Sequence, residues 1–224
     1  MIKAVIFDLG KVLVDFDLNR AWNGFARFTD IPASQMEGIV YETTDQDVLK
    51  YGTSKKGDTV AKYNIGVIDS DEFYKWMCER LRLKDMGFDE FARAWGDIFT
   101  VNQPVCDLTD RLSRNGYTLV ALSDTNPIQM EQIMNVIPAT MGLFKGRIVT
   151  SYKVGSMKPD AKNYLEARAV TNAHPSECVY VDDRSKYLDP AIRFGMHGIH
   201  YDWDNEAKRD ELLINNLRKV GVRC

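Results

Sequence analysis

The run Lys3-Ala4-Val5-Ile6-Phe7 ends in Asp8, and Leu9-Gly10-Lys11 turns at once. A short apolar strand that delivers one carboxylate to its own C-terminal edge puts a charge in the crevice where open α/β sheets bind ligands. Such an Asp can act as a nucleophile on phosphorus, forming an acyl phosphate and splitting one hard displacement into two easier ones. Taken alone it also reads as an ordinary turn residue. Three more polar signals close or adjoin apolar runs. In Leu122-Ser123-Asp124-Thr125-Asn126-Pro127 a hydroxyl stands between a strand end and a helix start, a place for an anion or for a plain cap at Thr125 or Asn126. Lys158 precedes Pro159, which holds it extended. It could neutralise a phosphoryl oxygen or be a solvated turn lysine. Asp182-Asp183 closes Val179-Tyr180-Val181. Adjacent carboxylates at a strand end are costly without a cation, and with Asp8 they could hold Mg²⁺; the plain alternative is two exposed turn acids.

Elements that could position these groups alternate along the chain. Strand patterns occur at 4–7, 118–122, 147–150, 178–181 and 198–201. Helical patterns lie between them at 105–115, 127–134, 159–169, 187–194 and 205–220, with Asn126-Pro127 as an N-terminal signal and Asn115-Gly116 as a stop. Strand–helix alternation predicts an α/β fold with a mostly parallel, doubly wound sheet. The stretch 18–99 breaks the pattern. Trp22, Phe25 and Phe28, then Phe73, Trp76, Met77 and Leu81, then Phe88, Phe91, Trp95 and Phe99 sit at helical spacing. Asp69-Ser70-Asp71-Glu72 starts a helix. We therefore expect an all-helical insert at 18–99, whose aromatic stripe forms its own core, and a sheet core built from 1–17 and 100–224. An insert joined beside Asp8 can close over a site. Its polar residues, among them Tyr41, Glu42, Asp45 and Asp47, are candidates for choosing the substrate.

The 224 residues, 45% of them hydrophobic, suffice for one sizeable core. A net charge of −3 without a long basic run argues against nucleic acid as partner. No apolar stretch is long enough for a membrane span, and the N-terminus lacks the shape of a cleavable signal. Four widely spaced cysteines read as reduced thiols in a cytoplasmic protein, and with only three histidines a zinc site is not expected.

The four signals in this order resemble the haloacid dehalogenase superfamily, in particular its phosphatase-type members with a helical cap after the first strand. The resemblance is carried by Phe7-Asp8-Leu9-Gly10-Lys11-Val12-Leu13-Val14-Asp15, Leu122-Ser123-Asp124-Thr125-Asn126, Lys158-Pro159-Asp160, and Val181-Asp182-Asp183 with Gly195-Met196. It implies a Rossmann-like core with Asp8 as nucleophile and Lys158 beside it. Phosphate would be bound by Ser123 and Lys158, with Asp124, Leu9 and Gly10 around it. Mg²⁺ would be held by Asp8, Asp183, the Gly10 carbonyl and, in support, Asp182. The implied reaction is hydrolysis of the phosphate monoester of a small metabolite, a sugar phosphate by the Asp-Leu-Gly opening, through a phospho-aspartate.

The chain departs from that pattern at Gly10, where such phosphatases usually carry a second Asp as general acid and base. Losing a general acid forfeits about 10²–10⁴ in rate. Another carboxylate could stand in, Asp15 and Asp17 being nearest, although both also suit a helix cap. The substrate could instead carry a leaving group that hardly needs protonation, such as an anomeric, aryl or acyl phosphate. A third option is a weakened, phosphate-binding member. Smaller departures are Asp124 where Asn is common and Tyr187 in place of an Asn. A 2-haloacid dehalogenase, using Asp8 on carbon without metal, is the competing enzyme class; the Asp182-Asp183 pair argues against it.

Overall fold

The structure is a computed structural model, and it describes residues 1–42 and 58–224. Five parallel strands form the central sheet: β1 (Ala4–Phe7), β4 (Thr118–Ser123), β5 (Ile148–Thr150), β6 (Cys178–Asp182) and β7 (His197–His200), in the order β5-β4-β1-β6-β7. β1 and β6 are buried along their whole length, which is why they read as continuous apolar runs instead of an alternation. Period-two geometry still sorts their side chains. Val5, Phe7, Leu119, Ala121, Val179 and Val181 face one core layer, and Ala4, Ile6, Val120, Leu122, Cys178 and Tyr180 the other.

The first layer packs under three helices: α6 (Gln103–Arg114) through Val105, Leu108 and Leu112, α7 (Pro127–Val136) through Ile128 and Ile133, and α12 (Arg209–Lys219) through Leu213 and Leu217. The second packs under α10 (Ala161–Ala169) through Tyr164 and Ala167 and under α11 (Ser185–Arg193) through Leu188 and Ala191. Two short helices, α8 (Pro138–Leu143) and α9 (Ser151–Val154), flank β5. This is the doubly wound α/β arrangement that alternation predicted. Pro159 lies outside its helix, because Asp160 caps α10 by accepting from Lys162 N.

Where it is described, the region 18–99 carries α1 (Leu18–Phe25), α2 (Ala33–Tyr41), α3 (Asp58–Asn64), α4 (Ser70–Leu81) and α5 (Phe88–Gly96), while Phe99, expected on the helical stripe, opens a strand instead. Asp45 and Asp47 lie outside the described residues. The aromatic stripe is core. Trp22, Phe25, Tyr63, Phe73, Phe91 and Trp95 are all buried, with Phe25 on Phe91 at 5.5 Å and Tyr63 on Phe73 at 4.2 Å between ring centroids. The Asp69–Glu72 capping box starts α4 as expected.

One element was absent from the sequence reading. β2 (Val14–Phe16) and β3 (Phe99–Val101) pair antiparallel on either side of the helical region. Just beyond β3, buried Asn102 ties this ribbon to the turn after β1, its Nδ2 donating to the Val12 carbonyl at 2.6 Å and to Tyr201 Oη at 2.9 Å.

The helical region also docks directly on the sheet layer. Ser151 Oγ donates to the Asn64 carbonyl at 2.6 Å, and Gly66 (φ +70°) runs so close to Tyr152 that a Cβ there would overlap its carbonyl oxygen. Gly66→Ala combines left-handed strain with that overlap. It should lower stability by about 2–3 kcal/mol in urea titration; an unchanged midpoint would mean that this contact is looser than described.

Candidate active site

The sheet register builds the site. Phe7 pairs with Ala121 on one side and Val181 on the other, so the next residues at the carboxyl edge are Asp8, Leu122 and Asp182. Asp8 continues the ladder through its N–H, which donates to the Val181 carbonyl at 2.9 Å. Its Oδ1 accepts from Leu9 N at 2.7 Å, so the Leu9 amide is turned toward the carboxylate.

Lys158 enters from the loop before α10 and is 4% exposed. Its Nζ lies 3.0 Å from Asp8 Oδ2, 2.9 Å from Asp182 Oδ2 and 3.2 Å from Tyr180 Oη. Its backbone N–H donates to Asp124 Oδ1 at 3.0 Å, which ties the loop to the end of β4. Burial acts to lower the lysine pKa, but Asp8, Asp182 and Asp124 outweigh it and hold the ammonium more firmly protonated than usual. Asp8 is pushed up to about 8. Burial is the main cause; Lys158 opposes it, while Asp182 and Asp183 add to it. Asp183 is raised for the same reasons, burial first and Asp182 second. One lysine does not balance this many carboxylates, so the site favours a further positive charge.

The donor set fits a hard cation. Carboxylate oxygens of Asp8, Asp182 and Asp183 lie within 4.8 Å of one another, and all-oxygen ligation suits Mg²⁺ or Ca²⁺. Among the three, the fully buried Asp182 is the most engaged by the protein. Its Oδ1 accepts from Arg184 N at 2.8 Å, and its Oδ2 accepts from Lys158 Nζ and from the Tyr180 hydroxyl. Asp8 and Asp183 instead face a cavity of about 290 Å³, together with Gly10, Ser123, Asp124 and Lys158.

Four cavity residues were not identified from the sequence as site residues: Lys11, Phe16, Arg184 and Tyr187. Arg184 and Tyr187 sit at the start of α11, where residues three apart share a helix face; the Arg184 guanidinium donates to Tyr187 Oη at 3.0 Å. That spacing after Asp183 was the available signal. Lys11 adopts φ +56° and pairs with Asp15, with its ammonium between the rings of Phe16 and Trp203 at 5.0 and 4.9 Å. Nothing in a single sequence announces that stack.

At Gly10 a side chain would be tight against the Phe16 ring. A Cβ there would stand 3.2 Å from Phe16 Cε1. The two neighbouring acids are engaged elsewhere: Asp15 pairs with Lys11 and accepts from Phe16 N, and Asp17 caps α1 by accepting from Asn19 N. A second cavity of about 160 Å³ adjoins the first, lined on its far side by Tyr41, Asn64, Trp95 and Gln129. Asn126 connects its walls, with Oδ1 accepting from Gln129 N and Nδ2 donating to Asn64 Oδ1.

Comparison with known proteins agrees with this geometry. The chain is 22% identical over 222 residues to Phosphatase MT3486 of Mycobacterium tuberculosis, covering 99% of this chain and 96% of that protein. It is 27% identical over 201 residues to the D-ribitol-5-phosphate phosphatase of Bacteroides thetaiotaomicron, covering 88% and 90%. Its fold is similar to that of a HAD family enzyme of Bacteroides thetaiotaomicron solved with magnesium and inorganic phosphate, with a TM-score of 0.69, 20% identity, and 89% and 94% of the two chains covered. A family model, haloacid dehalogenase-like hydrolase, matches residues 2–195, from the strand that delivers Asp8 to the glycine that ends α11. By that match the chain belongs to the haloacid dehalogenase-like hydrolases.

Proposed function

We propose that this hydrolase is a Mg²⁺-dependent phosphatase that cleaves the monoester of a small phosphorylated metabolite, a sugar or polyol phosphate, through a phospho-aspartate on Asp8. The observation that carries the reading is the convergence of Asp8, Asp183, Ser123 and Lys158 on one cavity, with the carboxylates outnumbering the buried cation. Displacement at carbon generates no phosphoryl charge to offset, whereas phosphoryl transfer needs the charge of its oxygens neutralised, which a cation held by Asp8 and Asp183 would do.

In this reading Asp8 and Asp183 hold the metal with the Gly10 carbonyl, and Asp182 acts behind them by fixing Lys158. When bound, Mg²⁺ supplies charge neutralisation at the phosphoryl oxygens. Lys158 Nζ, 3.0 Å from Asp8 Oδ2, keeps the nucleophile oriented and meets a second phosphoryl oxygen. Ser123 Oγ, on the last residue of β4, donates to a third. Asp8 then attacks phosphorus as the bond to the ester oxygen breaks and the alcohol leaves, and water attacks the acyl phosphate, breaking its bond to Asp8 and releasing phosphate. The helical region 18–99 is the cap over this cavity, and Tyr41, Asn64 and Gln129 contact the leaving group. The name of the ribitol phosphate-cleaving relative and the small second cavity of about 160 Å³ both support a compact substrate. Drug-sized ligands occupy roughly 300–1,000 Å³. We place the protein in the cytoplasm, in keeping with its four unpaired cysteines.

Phosphate release from a panel of esters, with and without Mg²⁺, tests the reaction class. Release should require Mg²⁺ and fall to background in Asp8→Asn. Halide release from 2-haloacids, with no phosphate from any ester, would overturn the reading.

Magnesium affinity should depend on pH with a defined sign. Asp8 must lose its proton to ligate, and its pKa is raised from 3.8 to about 8 in the metal-free protein. Affinity measured by calorimetry should therefore climb by up to about tenfold per pH unit below that value and level off above it. In the metal-free fold, the stability contributed by this group is complete below 3.8 and is lost as pH rises through about 8, so the gain in Tm on adding Mg²⁺ should grow over the same window. An affinity independent of pH would contradict the raised Asp8.

A further inference from the structure

We infer that Asp124 is the catalytic residue that gives the leaving-group oxygen its proton, the task no side chain at position 10 can perform. The inference rests on the phosphatase reading and names a group that it leaves open.

The leaving oxygen has a defined place. The phosphoryl group belongs in the cavity with Asp8 and Lys158, and the rest of the substrate belongs in the adjoining one with Tyr41 and Gln129. The bridging oxygen therefore lies at the boundary. Among the described residues, those common to both cavities are Gly10, Phe16, Ser123 and Asp124. Gly10 has no side chain, Phe16 has no exchangeable proton, and Ser123 is a hydroxyl suited to a phosphoryl oxygen. Asp124 alone of the four carries an ionisable group.

Its environment suits the role. Asp124 Oδ1 is fixed by accepting from the Lys158 backbone N–H at 3.0 Å. Oδ2 is buried and has no hydrogen-bond partner in the protein. A buried carboxylate oxygen without a donor is costly. Protonation removes the charge and leaves an O–H without an acceptor in the protein, which a substrate oxygen at this boundary would supply. Burial also pushes this carboxyl above the usual range, against Lys158 and Arg184 and with Asp182; Tyr164 and Tyr187 are the other titratable groups that sense it. Among the described residues, three nearby acids are engaged elsewhere: Asp15 by Lys11, Asp17 by its helix, and Asp182 by Lys158, Tyr180 and Arg184 N.

The proton balance closes on Asp124 itself. As the Asp8 oxygen bonds to phosphorus, the bond from phosphorus to the substrate oxygen breaks, and that oxygen takes the Oδ2 proton to leave as an alcohol. The Asp124 carboxylate then accepts a proton from water as the water oxygen bonds to phosphorus. The bond from phosphorus to Asp8 breaks, phosphate leaves, and both carboxyl groups return to their starting forms.

The test compares wild type and Asp124→Asn on two esters, p-nitrophenyl phosphate and glycerol phosphate. Asn keeps the acceptor for Lys158 N and the side-chain shape but has no proton to transfer. The loss of kcat on the alkyl ester should exceed the loss on the aryl ester by about 10²-fold or more, because only the alkoxide needs the proton. Equal losses on both esters, or none on either, would overturn the assignment. Should Asp124→Asn fold poorly by circular dichroism, Asp124→Ser must show the same selectivity. Failure of the underlying reading looks different: wild type itself would release no phosphate from either ester.

Discussion

The site depends on one buried ammonium. Lys158 is almost completely enclosed, yet it bonds Asp8, Asp182 and Tyr180 at once and reaches Asp124 through its own backbone. It thereby joins the ends of three neighbouring strands, β4, β1 and β6, that the sheet brings to one edge. A buried charge survives only when it is paired and hydrogen-bonded, and removing one partner of a buried pair typically costs about 3–5 kcal/mol. The constraint acts in both directions. Lys158 keeps the carboxylates close to one another, and they hold it protonated where burial would otherwise favour the neutral amine. The carboxyls of Asp8 and Asp183, both raised by burial, face the cavity beside Asp124, which is where a divalent cation and a phosphoryl group would be wanted.

A second constraint comes from the way the helical region is attached. It leaves and rejoins the sheet domain through the β2–β3 ribbon, and Asn102 binds that ribbon to the turn after β1. The ribbon carries Phe16, whose ring fills the space beside Gly10. The attachment of the helices and the shape of the catalytic turn are thus one piece of structure. Lys11 completes it. A left-handed backbone at a lysine is unfavourable, and here it is held by Asp15 and by two aromatic rings, one from the ribbon and one from the segment leading into α12. This cost is sustained at the mouth of the cavity, where strained residues tend to collect because the surrounding packing can enforce them.

How far the sequence alone reached follows from the range of each interaction. The sheet strands were legible because burial on both faces leaves a short apolar run with polar ends. Asp8, Ser123 and Asp182 were legible for the same reason, as the first polar residues after such runs. Helical spacing of Trp22, Phe25, Phe73, Phe91 and Trp95 was also local, and those rings are core. The ribbon was not legible, since three residues in each strand carry too little pattern. Nor could local reasoning separate the duties of Asp182 and Asp183. Both are strand-end acids, and only the register shows that one turns into the core toward Lys158 and Tyr180 while the other faces the cavity. Asp15 and Asp17 looked equally fit to replace the absent acid; their partners, Lys11 and Asn19 N, become visible only in three dimensions.

These observations bear on why a phosphatase site could keep glycine at position 10. A side chain there would press on the Phe16 ring, and that ring is linked through Lys11 to Trp203, against which Arg209 stacks at 4.0 Å. Introducing an acid at position 10 therefore disturbs a column that runs from the cavity to the start of α12. Position 124 has no such coupling. It lies at the end of β4, its backbone set by the sheet and one carboxyl oxygen set by Lys158 N. An acid there is positioned by elements the fold already needs for the nucleophile and the lysine, which is the support a proton donor requires. Gly10 and the orphaned oxygen of Asp124 are then two views of one arrangement, in which the ribbon crowds position 10 and the acid stands at the end of β4 on the same cavity.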